Sequence, residues 1–311
     1  LTAGSFDTSK PARPLVSIGM PVYNEQEHLA QALDSLLAQD YENLEIVISD
    51  NASTDKTPEI CAAYAARDPR VRYHRNDTNV GGIENFNQAL RHARGEFFMW
   101  ASGHDLRPPT QVSRCVEVLL KDPSVVLCYT QVIWVDDEGR ELEAVEEYID
   151  TRGVGDKLSR LNIVVWGLQH GFLIYGVFRT EALRQTSVYT QVVSPDISLL
   201  IELSLVGKFA YIPGPPLLLR RARDFGNWEV YARKHFKTEV SGWRARTLYW
   251  RMVRQLAARV ARHLRTLPGK CLGVTYAVVG LWMNFRWMRS LTGSPARVEA
   301  DPKAAQEKAA K

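Results

Sequence analysis

Apolar and polar positions in the first hundred residues fall into blocks whose period switches between about 2 and about 3.6. Residues 15–23 form an apolar run that Pro21 brings to an end, which reads as a buried strand. Residues 24–27 open a helix with Leu29, Leu33, Leu36 and Leu37 at helical spacing, and Asn24 is expected as its N-cap. A second strand, 44–49, runs into Asp50-Asn51-Ala52-Ser53-Thr54-Asp55, and a helix with Pro58 in its first turn follows. Residues 71–74 are a short third strand, Asn79-Val80-Gly81-Gly82 a turn, and 83–93 a helix. A fourth, aromatic-rich strand over 95–100 ends in Ser102-Gly103-His104-Asp105. This alternation predicts an α/β fold built on a mainly parallel, Rossmann-like sheet flanked by helices.

The pattern then loosens. Residues 125–135 read as a strand, and Asp136-Asp137-Glu138-Gly139 as a solvated turn before an acidic segment. Residues 150–167 suggest a loop or short helix, and 171–179 return to strand character. Ser194 is expected to cap a helix with Pro195 at N1 and Asp196 in its first turn, and 207–213 to form a closing strand.

Three strand ends carry polar residues, and in a parallel sheet they gather along one rim, where α/β proteins bind ligands. Asp50, as the last residue of a buried strand, could accept hydrogen bonds from a nucleobase or ribose edge, whereas Asp55 fits a turn-forming or capping role. No GxGxxG or GxxxxGK[ST] element occurs, which argues against dehydrogenase and P-loop readings.

At 311 residues and 45% hydrophobic content, the chain can bury a large core. Cys61, Cys115, Cys128 and Cys271 show no metal-finger spacing and are expected as reduced, buried thiols of a cytosolic protein. The first residues are polar with no apolar signal segment, and no run reaches the roughly 18 apolar residues of a spanning helix.

Several stretches resemble the inverting family 2 glycosyltransferases of GT-A fold. They are Pro21-Val22-Tyr23-Asn24-Glu25, the DDGSTDGT-like Asp50-Asn51-Ala52-Ser53-Thr54-Asp55-Lys56-Thr57, and Asn79-Val80-Gly81-Gly82 with Asn85 and Asn87 after it. Ser102-Gly103-His104-Asp105 falls where that family has its DxD-type element. The resemblance implies a nucleotide-sugar donor held by Pro21, Tyr23, Asn24, Glu25, Asp50, Asn51, Ser53, Gly81, Gly82, Asn85, Ser102 and Gly103, with Arg220 and Arg221 on the diphosphate. It also implies a divalent metal, Mn2+ or Mg2+, at His104 and Asp105, and Asp196 as the general base that takes the acceptor hydroxyl proton.

The departure from the family is at the metal element, where a carboxylate is replaced by His104. Imidazole suits manganese-like ions, and magnesium prefers oxygen. Three accounts stay open: metal binding by His104 or Asp105, a protonated His104 meeting the diphosphate without metal, or loss of metal together with activity. The last makes the chain a non-catalytic nucleotide- or glycan-binding homologue.

Residues 241–290 contain no acidic side chain, and ten of them are Arg or Lys, from Arg244 to Arg289. On a helix, Tyr249, Val253, Leu256, Val260, Leu264 and Leu267 form one face and Arg251, Arg254, Arg259, Arg262 and Arg265 the other. That pattern suits a helix lying in an anionic membrane surface, with residues 243–290 as the contact, or a helix packed on the domain. No nucleic-acid motif accompanies it, so no specific nucleic acid is expected. The expected organisation is a flexible N-terminus (1–14), a catalytic domain (15–225) with a nucleotide-binding half (15–109) and an acceptor half (110–225), a basic amphipathic region (226–290) and a polar tail (291–311). The resemblance and this basic helix together imply a cytoplasmic enzyme of cell-surface polysaccharide or glycolipid synthesis. It would be peripheral on the inner face of the membrane and act on a glycan or lipid-linked acceptor.

Overall fold

The computed structural model describes residues 13–221 and 242–284, with side chains of the second span described over 247–280. The N-terminal segment, residues 222–241 with Arg223, the side chain of Trp282 and the tail lie outside the described residues. The strands β1 (Val16–Val22), β2 (Leu44–Asp50), β3 (Val71–Arg75) and β4 (Phe97–Trp100) alternate with α1 (Leu29–Leu37), α2 (Thr57–Arg67) and α3 (Gly82–Arg91). These four strands are parallel, in the order β3-β2-β1-β4. After α4 (Gln111–Lys121) come β5 (Val125–Val135), β6 (Glu141–Val145), α5 (Lys157–Gly167), β7 (Val177–Arg179), α6 (Thr180–Arg184), α7 (Pro195–Val206) and β8 (Lys208–Arg220). β7 continues the sheet antiparallel to β4, β5 lies antiparallel to β7 and β6, and β8 runs parallel to β5. The alternating sequence of β4 explains its place at the centre: Phe97 and Met99 enter the core under one face, Phe98 and Trp100 the core under the other. Beside them Gly19 leaves room for a ring, since a Cβ there would stand 2.6 Å from Cζ of Phe98.

Four local expectations change. Asn24 does not cap α1, which begins at Leu29; its φ is 56° and it closes a turn instead. Residues 171–179 are not one strand. Gly171 takes φ +76°, a 3-10 turn covers Phe172–Tyr175, and only Val177–Arg179 joins the sheet. Ser194 precedes α7 with φ 46° and makes no side-chain cap, although Pro195 does occupy the first turn. Asp136 and Gly139 form the expected turn, Gly139 N donating to Asp136 O at 3.0 Å. Cys271 is exposed, unlike the other three cysteines.

The C-terminal helices α8 (Gly242–His263) and α9 (Leu267–Asn284) pack on α7 and α5 respectively and on each other. The apolar stripe of α8 faces the protein. Tyr249, Val253, Leu256, Val260 and Leu264 are buried in the same core as α7, and only Leu267, at 74% exposure, stays outside. The stripe therefore cannot lie in a membrane, because the domain has already covered it. Arg259 also turns inward, to Glu202 of α7, leaving Arg251, Arg254, Arg262 and Arg265 exposed beside Trp250. Among the described residues no helix is long and apolar enough to cross a membrane.

Candidate active site

The rim is built by register. Pro21 lies opposite Ser49 and Val22 opposite Asp50, while Ala101 N donates to Gly19 O at 2.9 Å. The segments after β1, β2 and β4 therefore leave the sheet side by side at its carboxyl edge. Cross-links between them are dense. Asn24 N donates to Ser53 Oγ at 3.0 Å, and Asn24 Oδ1 accepts from Thr54 N at 2.8 Å. Glu25 N donates to Thr57 Oγ1 at 2.8 Å, and Asp55 accepts from Thr57 N and Gln26 N, the turn-forming role expected of it. Tyr23 stands at the rim, 36% exposed.

Asp50 is fully buried. Its Oδ1 accepts from Ser53 N at 2.9 Å, and its Oδ2 accepts from the Tyr73 hydroxyl at 2.8 Å with Arg75 Nε at 3.3 Å. Both oxygens are engaged, so this carboxylate shapes the turn and does not itself face a ribose or base. Asn51 and Asn85 act in the same way. Asn51 Oδ1 accepts from Val80 N at 2.7 Å, which draws the Gly81–Gly82 turn to the rim. Asn85 Nδ2 donates to Ser49 O at 2.9 Å, fixing the end of β2. Gly81 needs its φ of 87°, and its N–H donates to Asn79 Oδ1 at 2.9 Å.

At the third rim segment, His104 Nδ1 meets Glu25 Oε2 at 3.0 Å. In this hydrogen bond the carboxylate accepts, so Nδ1 carries the donated ring proton. Nε2 lies 3.9 Å from Asp105 Oδ1. Asp105 Oδ1 also accepts from Arg220 N at 3.0 Å. Gly103 is needed for this approach, because a Cβ would sit 3.0 Å from Cγ of Glu25. Arg220 is buried and donates to His104 O at 2.5 Å and to Gln31 Oε1 at 2.7 Å. Arg221 pairs instead with Glu143, and its guanidinium lies 5.3 Å from the Trp134 ring centroid. Among the described residues no three His, Cys, Asp or Glu side chains stand together as a metal cluster. The pair His104 and Asp105 nevertheless suits an ion that takes its other ligands from a phosphate. A carboxylate on one ring nitrogen is the usual way to orient an imidazole toward a metal.

Across from this edge stands Asp196, half-buried as a residue, with Oδ1 sealed from solvent and without a hydrogen-bond partner. Burial pushes its carboxyl up to about 6. The amides of Ile197 and of Asp196 itself oppose the shift, and the nearby charge of Glu147 adds to it. Tyr175 joins the two sides. Its hydroxyl bonds to Ser102 and is held protonated, up to about 12, by burial and by the charges of Asp105 and Asp196.

Two residues of the site gave no signal in the sequence. Arg107, fully enclosed and lowered to about 10 by burial, donates to Trp100 O and Tyr175 O, both at 2.7 Å, and so ties the end of β4 to the 3-10 turn. Glu147 gathers the amides of the segment that precedes that turn. Apart from Trp100 O, their main-chain partners lie more than twenty residues away, which leaves no spacing to read.

The parallel half-sheet, its polar carboxyl rim and the facing carboxylate define an α/β protein of GT-A fold. Among solved structures, S. aureus TarS 1–349 in complex with UDP-GlcNAc superposes with a TM-score of 0.67 at 15% identity, over 94% of this chain and 77% of that one. The mannosyltransferase PcManGT from Pyrobaculum calidifontis, in complex with GDP-Man and Mn2+, gives 0.53 at 20% identity over 97% and 83%. An uncharacterized glycosyltransferase of Rickettsia typhi is 33% identical over 164 residues, which are 52% of this chain and 48% of that protein. A second, from Rickettsia felis, is 34% identical over 167 residues, 52% of this chain and 26% of its own length. This chain thus spans about half the length of these curated relatives, or less. The sequence profile of glycosyl transferase family 2 matches residues 17–185, more than half of the chain, and the chain belongs to that family.

Proposed function

We propose that this protein is an inverting glycosyltransferase. It moves a sugar from a nucleotide-sugar to a hydroxyl of a glycan or lipid-linked acceptor in the synthesis of a cell-surface polysaccharide or glycolipid. The observation that carries the reading is Asp196. It is a carboxylate with a sealed, unpartnered oxygen and a pKa raised to about 6, which faces the rim across Tyr175. A base for a sugar hydroxyl must be ionised near neutral pH yet basic enough to accept a proton, and a midpoint of about 6 meets both needs.

Pro21, Tyr23, Asn24, Ser102 and the Gly81–Gly82 turn would line the donor. Asp50, Asn51, Ser53 and Asn85 would hold that lining in place through the hydrogen bonds given above. Arg220 would brace the diphosphate end through His104 O, while Arg221, held by Glu143, would contribute only its charge nearby. His104 and Asp105 would hold a divalent ion, Mn2+ more readily than Mg2+ because one ligand is imidazole, and the ion would supply positive charge for the leaving diphosphate. Glu25 orients His104, and Asp196 takes the acceptor proton. Two similar folds carry UDP-GlcNAc and GDP-Man, which makes nucleotide-sugars of these kinds the first donors to try. Membrane contact at the cytoplasmic face, if it supplies a lipid-linked acceptor, falls to the exposed arginines of α8 with Trp250 and Leu267, not to the buried stripe.

The test is nucleotide release from UDP-GlcNAc and GDP-mannose, with glycoside acceptors, with and without EDTA and added Mn2+. Turnover that Asp196→Asn abolishes supports the reading. Tight nucleotide binding without turnover would favour a binding homologue instead.

A further inference from the structure

Glu147 follows β6 and is 5% exposed. Its Oε1 accepts from the amides of Gln169 at 2.6 Å, His170 at 3.0 Å and Gly171 at 3.1 Å, and its Oε2 accepts from Phe172 N at 3.2 Å. Four consecutive main-chain donors on one carboxylate fold this segment into a hook, with Gly171 at φ +76°. A buried carboxylate is tolerated only when donors replace its hydration, and these four amides do so.

The hook is pressed against the base. A Cβ on Gly171 would stand 2.7 Å from Cδ1 of Ile197 and 3.5 Å from Oδ2 of Asp196, so only glycine lets this backbone reach the first turn of α7. The segment also carries rings. The exposed His170 stacks on Phe172, centroids 5.4 Å apart at 14°, and Phe172 meets the edge of Trp134 at 5.1 Å and 89°. Its far end is the 3-10 turn whose Tyr175 bonds to Ser102 at the donor rim. A sugar ring has C–H faces that pack on flat aromatic rings, and this ring pair lies one residue either side of the glycine that touches the base.

We infer that Glu147 is a positioning residue for the transfer: by gathering the amides of 169–172 it sets the His170–Phe172 ring face beside Asp196, where a sugar-bearing acceptor presents its hydroxyl. The inference rests on the reading of Asp196 as base and adds to it the acceptor class, a glycan whose terminal ring stacks on that face. A capping role alone would stabilise the segment but would not separate acceptor from donor recognition.

The experiment uses the full chain, UDP-GlcNAc and GDP-mannose as donors, and a panel of p-nitrophenyl glycosides as acceptors. Glu147→Ala is expected to raise the acceptor KM about tenfold or more, with donor KM and UDP affinity within about twofold, since misplacing a bound group by about 1 Å is enough to cost that much. Glu147→Gln keeps an oxygen for three of the amides and falls between. Asp196→Asn instead loses kcat with the acceptor KM held. An unchanged acceptor KM in Glu147→Ala, or an equal rise in both KM values, overturns the inference. Hydrogen exchange of amides 169–172 is read on the same proteins. It should accelerate in Glu147→Ala while UDP affinity holds, and unchanged protection refutes the anchor even if neither donor is turned over. Turnover that survives Asp196→Asn sinks the base reading, and the role of Glu147 is then decided by its own KM split and exchange.

Discussion

Asp196 should cost the fold stability in return for its chemistry, and the cost can be measured. Its carboxyl is displaced from 3.8 to about 6, chiefly by burial. Between those two values the folded protein binds a proton that the unfolded chain has released, so stability falls as pH rises through this window. Above about 6 the penalty is complete and amounts to up to about 3 kcal/mol; below 3.8 it is absent. Asp196→Asn removes the titrating group while nearly keeping its shape. The variant should therefore be more stable than wild type at pH 7, by up to about 3 kcal/mol, with the gain shrinking to nothing by about pH 3.5. Turnover should move the opposite way, by about 10²–10⁴-fold, the usual contribution of a general base. Wild-type kcat/KM should lose about tenfold per pH unit below about 6, for the same ionisation. Urea unfolding at pH 7 and pH 3.5, read beside the rate profile, checks all of this. A variant that is less stable at pH 7, or whose gain does not depend on pH, would show that Asp196 is held as an ordinary helix-terminal carboxylate.

Two further outcomes are expected. Glu25→Ala removes the acceptor that orients His104, and it should weaken Mn2+ binding in the presence of UDP by about 10–100-fold by electron paramagnetic resonance, with UDP affinity alone little changed. Glu202 is fully buried on α7, accepts from Ser187 N at 3.0 Å, and lies 3.7 Å from Arg259 Nη1 and 3.6 Å from His263 Nε2. Glu202→Ala leaves Arg259 enclosed without its counter-charge and should cost about 3–5 kcal/mol in denaturant unfolding. A loss under about 1 kcal/mol would mean that α8 is held by its apolar stripe alone.

The first half of the fold was legible because each strand and each helix there carries its own period. Once the strands are parallel, the meeting of Asn24, Ser53 and His104 follows from topology alone. What the pattern does not encode is the direction of a side chain at a strand end. Asp50 as a turn-former and Asp50 as a ligand contact are one sequence, and the choice is made by Tyr73 and Ser53, which occupy its oxygens. Residues 171–179 fail for a related reason. An apolar run between glycines fits a strand or a buried turn, and the turn wins through a carboxylate more than twenty residues upstream.

The C-terminal helix shows the limit most clearly. An apolar stripe backed by arginines satisfies a membrane surface and a protein core equally, since both reward removing that stripe from water. The deciding contacts belong to the partner. Buried on α7, Glu202 asks for a counter-charge, and α8 supplies Arg259, with His263 close by, at helical spacing from the stripe that covers α7. Arg259 thus serves the core, and the exposed arginines are what remains for any acidic surface. The exposed face of α8 is therefore one ion-pair contact away from α7, the helix that carries Asp196 in its first turn.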